Sequence, residues 1–94
     1  MAMHNPPHPG EFIKEAYIDP LGITPRSVAL RLGVSPSTFS RLLKGQCGVS
    51  PEMALRLSKC LGRTPESWLA MQYNRDLWQA RRTLDLSGVE PIAA

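Results

Sequence analysis

The sequence predicts an all-α fold of five short helices, and three observations carry that prediction. Four Ser/Thr-Pro pairs punctuate the 94 residues: Thr24-Pro25, Ser35-Pro36, Ser50-Pro51 and Thr64-Pro65. Each pairs a hydroxyl that can cap a helix with a proline whose fixed φ suits the first helical position. Gly33, Gly45 and Gly62 then fall where the first three of those helices must stop. Between starts and stops the apolar residues recur at helical spacing, and no segment alternates with the period of a strand.

The elements follow in order. His8-Pro9-Gly10-Glu11 opens a first helix over 9–17, with Phe12, Ile13, Ala16 and Tyr17 on its inner stripe, ending before Asp19-Pro20. A second helix over 25–32 turns Val28, Ala29 and Leu32 inward. The third, 36–44, does the same with Phe39, Leu42 and Leu43, and the fourth, 51–61, with Met53, Ala54, Leu57, Cys60 and Leu61. Glu52 and Glu66 follow their prolines directly and favour the positive ends of the fourth and fifth helices. The fifth helix, 65–82, carries one stripe of Leu69, Tyr73, Leu77, Ala80 and Leu84, while Trp68, Met71 and Trp78 point to a neighbouring face. A helix apolar over so much of its girth is buried on two sides. In a domain this small the second side predicts another chain, so Trp68, Leu69, Tyr73, Leu77 and Trp78 are assigned to a homodimer interface. The organisation expected is a mobile Pro-rich arm (1–8), a helical domain (9–84) and a tail (85–94), irregular or exchanged between chains.

Helices two and three are short, are joined by a tight turn at Gly33, and have a small residue, Ala29, where they cross. That is a helix-turn-helix. The outer face of the third helix holds Ser37, Thr38, Ser40, Arg41 and Lys44, hydroxyls and cations without a carboxylate, which suits entry into a DNA major groove. Arg41, in mid-helix, can bridge guanine O6 and N7; its bland alternative is a surface ion pair. Ser37 at the helix start reaches a base edge or a phosphate, or is a plain helix-start hydroxyl. Pro36 opens the same turn. Ser35 reads as a cap whose helix end faces a phosphate, with Lys44, Arg31 and Arg26 as phosphate contacts. Charge distribution agrees. Residues 24–63 hold Arg26, Arg31, Arg41, Lys44, Arg56, Lys59 and Arg63 against Glu52 alone, whereas the whole chain nets only +3. A basic middle between acidic flanks fits a polyanion.

Other function classes find little support. A hydrophobic fraction of 43% and a charged fraction of 20% are ordinary for a globular domain. No apolar run approaches the roughly 20 residues of a membrane span, and Met1–Pro9 contains no apolar leader segment, so a cytoplasmic protein is expected. Cys47 and Cys60 are then free thiols. His4 and His8 could be imagined joining them around zinc, but no CxxC or HxxxH spacing groups the four, and neither metal nor cofactor is expected. There is no paired-carboxylate site, Ser-His-Asp set or phosphate loop, which argues against an enzyme.

Residues 24–61 resemble the helix-turn-helix of the lambda-repressor/Cro class at Ala29, Gly33, Val34, Phe39 and Leu42. Wider blocks are similar to the HigA/VapI group of antitoxins: His-Pro-Gly-Glu (8–11), Pro-Leu-Gly-Ile (20–23), Pro-Ser-Thr-Phe-Ser-Arg-Leu-Leu-Lys-Gly (36–45), Pro-Glu-Met-Ala-Leu-Arg-Leu (51–57) and Pro-Glu-Ser-Trp-Leu-Ala-Met-Gln (65–72). The likeness spans 8–82. It implies a five-helix lambda-repressor-like fold and a dimer that represses its own operon at a palindromic operator. It also implies neutralisation of a HigB/RelE-like toxin, an mRNA endonuclease. The class often opens its recognition helix with two glutamines; Pro36 and Ser37 stand there instead, so base preference does not transfer. The residues themselves leave open a stand-alone regulator without a toxin. They also leave a protein-binding module that no longer binds DNA, against which the basic middle speaks.

Overall fold

The computed structural model describes residues 5–93, which form five helices and no strand. Helix α1 is built from three turns in series, Pro9–Ile13, a π-helical Lys14–Ile18 and Asp19–Leu21. Helices α2 (Pro25–Leu32), α3 (Pro36–Leu43), α4 (Pro51–Leu61) and α5 (Pro65–Thr83) follow. The capping expectation holds at every start. Thr24, Ser35, Ser50 and Thr64 accept from the N–H groups of Ser27, Thr38, Met53 and Ser67 at 3.1–3.2 Å, and His8 Nδ1 accepts from Gly10 at 2.9 Å. Each cap satisfies a donor that the first helical turn would otherwise leave unpaired.

Helix α1 departs from expectation. It does not end before Asp19-Pro20 but runs on to Leu21, with Gly22 left-handed at its end. Pro20 has no N–H to give and its ring would press on the carbonyl four residues back. The widened turn, in which the Asp19 N–H reaches Lys14 O, absorbs the proline. The extra residue per turn shifts the inner face, so Ile13 and Ile18 are buried and Ala16 is exposed.

One core lies between the helices: Ile13 and Ile18 from α1, Val28, Ala29 and Leu32 from α2, Phe39 and Leu42 from α3, Val49, Ala54 and Leu57, and Trp68 from α5. Trp68, expected at a subunit interface, is instead fully buried in this core. Its Nε1 donates to Gly62 O at 3.0 Å, and its ring lies edge-on to Phe12 with centroids 5.8 Å apart. The three-residue link Gly62–Thr64 folds the start of α5 back over α1, and the indole fills the gap. Leu69 and Met71 pack on the same core.

The described part of the Pro-rich arm is packed, contrary to its reading as mobile. Pro6 is buried, and Arg75 Nη1 donates to Pro6 O at 2.9 Å, pinning the arm along α5. His4 lies outside the described residues. Residues 84–93 form no helix, and Leu84, Leu86, Val89 and Ile92 are all exposed.

Candidate nucleic-acid interface

The turn between α2 and α3 is set by backbone chemistry. Gly33 is left-handed (φ 76°), a conformation costly for any residue with a Cβ. Its N–H bonds Leu30 O and that of Val34 bonds Ala29 O, at 3.2 and 3.1 Å, the paired bonds of a Schellman stop. Ser35 then restarts the chain as the cap of α3. Ala29, with no exposed surface, lets α2 and α3 approach.

Phe39 and Leu42 are buried to 0%, which rotates the opposite face of α3 to solvent. At about 100° per residue, that face is centred on Ser37, Arg41 and Lys44, all three exposed, with half-buried Ser40 beside them. Among the described residues none of Arg41, Lys44, Arg31 or Arg26 has an acidic partner; the two ion pairs are Lys14–Asp19 and Arg56–Glu52. A cation without an internal partner is available for an external anion.

The remaining sequence-assigned residues divide by position. Pro36 is exposed at the first turn. Thr38, expected outward, is half-buried on the flank near Leu42, and its hydroxyl accepts from Ser35 Oγ at 2.8 Å. Ser37 Oγ lies 3.3 Å from the same Ser35 oxygen. The N-terminus of α3 is therefore a cluster of three hydroxyls below the positive end of the helix dipole. Arg26 and Arg31 are exposed at the start and end of α2. Arg31 shares the rim of a hollow of about 450 Å³ with Arg56 and Lys59.

The far end of α3 is closed by α1. A Cβ at Gly10 would overlap the Leu42 carbonyl, so glycine there is what allows the first turn of α1 to press on α3. His8, capping that turn, faces a hollow of about 500 Å³ shared with Lys44, Gly45, Cys47 and Arg75. Burial, and then the Arg75 charge, hold the His8 pKa below the ordinary histidine value, against weaker opposing pulls from Asp76 and Glu11.

Three side chains that secure this arrangement gave no signal in the sequence. Gln72 Oε1 accepts from Val49 N–H at 2.9 Å while its Nε2 donates to Asp76 at 2.9 Å, tying the loop after α3 to α5. Arg75 holds the arm. Arg56 Nη1 donates to Leu32 O and Gly33 O at 2.8 and 3.3 Å. Apart from the Gln72–Asp76 bond within α5, each bond joins residues more than twenty positions apart, beyond the reach of local periodicity.

Of the other residues assigned to an interface, Tyr73 is 63% exposed, and Leu77 and Trp78 are half-buried. The Trp78 ring lies under Arg82 at 4.5 Å and beside Arg75 at 5.3 Å. All three lie beyond the stretch of α5 that meets the core. Cys47 and Cys60 are free thiols, and no group of three metal-ligating side chains occurs among the described residues. None of the helices described is long and apolar enough to cross a membrane.

Comparison with known proteins agrees with this geometry. The family pattern described as helix-turn-helix matches residues 13–69. The uncharacterized HTH-type transcriptional regulator YddM of Escherichia coli K12 is 41% identical over 93% of this chain and 92% of its own. Antitoxin HigA-1 of Vibrio cholerae is 40% identical over 77% of this chain and 68% of its own. The solved structure of antitoxin GraA in complex with its operator superposes with a TM-score of 0.86 at 37% identity, over 100% of this chain and 97% of that one. With the capped turn, the buried Ala29 and the buried Phe39 in their expected places, the chain belongs to the helix-turn-helix family, among the HigA-type antitoxins and the transcriptional regulators related to them.

Proposed function

We propose that this protein is a DNA-binding antitoxin that represses its own operon and neutralises a HigB/RelE-like mRNA endonuclease. The observation that carries the reading is the outward face of α3. It offers Ser37, Ser40, Arg41 and Lys44 with no carboxylate among them, and neither cation has an acidic partner among the described residues. In this reading α3 enters the major groove of a palindromic operator and Arg41 addresses a guanine edge. Ser37 contacts a base or a phosphate. The α3 N-terminus, with Ser35, Pro36 and Thr38, sits over a phosphate. Lys44, Arg31 and Arg26 bind the backbone on either side. Two copies act together, paired through the exposed end of α5. Binding rather than catalysis is the activity, and the cytoplasm, where the operator lies, is its place.

The operator complex of GraA supports the DNA half of this proposal, and the antitoxin relatives support the toxin half. A second reading, a stand-alone regulator without a toxin, is favoured by the kinship to YddM, which carries the name of a transcriptional regulator. Co-purification with the product of a neighbouring small basic reading frame separates the two, because only an antitoxin retains that product.

The DNA half is tested by a mobility-shift titration on the sequence upstream of the gene. A dimer making about 6–10 phosphate contacts should lose on the order of 10³–10⁵ in affinity between about 50 and 200 mM salt. Arg41→Ala should cost about 1–3 kcal/mol per half-site and relax one base position, whereas Lys44→Ala should weaken all sequences alike. Binding insensitive to salt, or an Arg41→Ala variant with wild-type base preference, would remove α3 from the groove.

A further inference from the structure

The recognition helix leaves α2 through a three-residue turn, Gly33–Ser35, and a side chain from α4 grips that turn. We propose that Arg56 is a positioning residue for DNA recognition, holding α3 at its angle to α2 without touching nucleic acid itself. The inference rests on the DNA-binding reading above.

The geometry is specific. The Schellman bonds at the end of α2 use the carbonyls of Ala29 and Leu30. The carbonyls of Leu32 and Gly33, further along, lie at the negative end of the α2 dipole, where a cation is favoured. Arg56 Nη1 donates to both, at 2.8 and 3.3 Å. Glu52, one turn earlier on α4, stands 3.6 Å from Nη2 and helps to hold the guanidinium in that orientation. A Cβ on Gly33 would come within 2.8 Å of Nη1, so the guanidinium lies directly against the glycine backbone. The α3 helix is thus bounded at its start by Arg56 and at its end by Gly10 of α1. Without the arginine both carbonyls turn to water and the turn relaxes. Phe39 and Leu42 still anchor the helix in the core, so the fold persists while Ser35 and Ser37 lose their place.

The rival role is a phosphate contact, since Arg56 shares its hollow with Arg31 and Lys59. Arg56→Met and Arg56→Lys in the full chain separate the two. Amide exchange at Gly33, Val34 and Thr38 should accelerate about tenfold in the methionine variant and less in the lysine variant, which keeps a charged donor group. Operator affinity of the methionine variant should fall about tenfold, the equivalent of one charge-assisted hydrogen bond. Affinity for random DNA and the salt slope should stay at wild-type values. Unchanged exchange would overturn the proposal. So would equal weakening on operator and random DNA with a salt slope reduced by about one, the mark of a phosphate contact. If the methionine variant does not fold, the lysine variant decides. A reduced operator-to-random ratio supports positioning, and a wild-type ratio refutes it. Wild-type protein that fails to bind its upstream DNA would sink the DNA reading instead, and exchange would still judge the clamp.

Discussion

Phe39 and Ser37 are two positions apart on α3 and have opposite duties. Phe39 is wholly enclosed by the core, so Phe39→Ala should destabilise the domain by about 3–5 kcal/mol. Ser37 is exposed and is not the cap. Ser37→Ala should leave the melting temperature nearly unchanged while altering operator affinity. Thermal melts beside mobility shifts read both, and a stable Phe39→Ala variant would mean that α3 is rotated about its axis. His8 makes a different residue-scale prediction. Its Nδ1 must be unprotonated to accept from Gly10, and burial and Arg75 lower its pKa in the fold. The unfolded chain therefore binds this proton more readily. The stability His8 contributes is complete above its ordinary value of 6.5 and is lost as pH falls through that value toward the lower folded pKa. Denaturant midpoints between about pH 7.5 and 5 should decline in wild type, and the decline should be smaller in His8→Asn, whose side chain can cap at any pH.

At the scale of elements, most boundaries follow from local chemistry, because a hydroxyl followed by proline both caps and pre-forms a helix start. The exception is α1, where Pro20 is accommodated by a π turn that moves Ile18 inward. The contact of α1 with α3 depends on one missing side chain. Gly10→Ala would set a methyl into the Leu42 carbonyl, a backbone atom that cannot rotate away. We expect about 1–3 kcal/mol of destabilisation, the usual cost of overpacking, and weaker operator binding, because the displaced α1 lies against the end of the recognition helix. Urea unfolding of this variant checks the first part. A neutral Gly10→Ala would show that the two helices separate at little cost.

For the whole molecule, the proposed function requires two recognition helices to act together. One helix covers too few base pairs for specific binding, and two-fold pairing would join like patches. The free end of α5 offers Tyr73, Leu77 and Trp78, and its two arginines over the Trp78 ring leave an amphipathic rather than a purely apolar face. Paired there, the two α3 helices should lie about 34 Å apart, or a multiple of it, to meet successive grooves on one side of the duplex. Sedimentation of wild type at micromolar concentration should give a dimer. Trp78→Asp should give a folded monomer with weak, non-specific DNA binding, since Trp78 lies outside the core. A specific wild-type monomer would assign this end of α5 to another partner, the toxin first among them.

Sequence alone determined the five helix starts, the turn at Gly33, the inner faces of α2, α3 and α4, and hence which side of α3 meets solvent. These are local matters, decided by capping hydroxyls, fixed proline φ angles and a repeat of 3.6 residues. Tertiary structure alone decided the fate of Trp68. An indole on an apolar stripe reads the same whether it faces its own core or a partner, and only the fold of α5 over α1 buries it. The packed arm and the grip of Arg56 on the α2–α3 turn were settled there too. In each of these, side chains meet backbone or rings far away along the chain, and no pattern confined to a few successive residues can encode such a meeting.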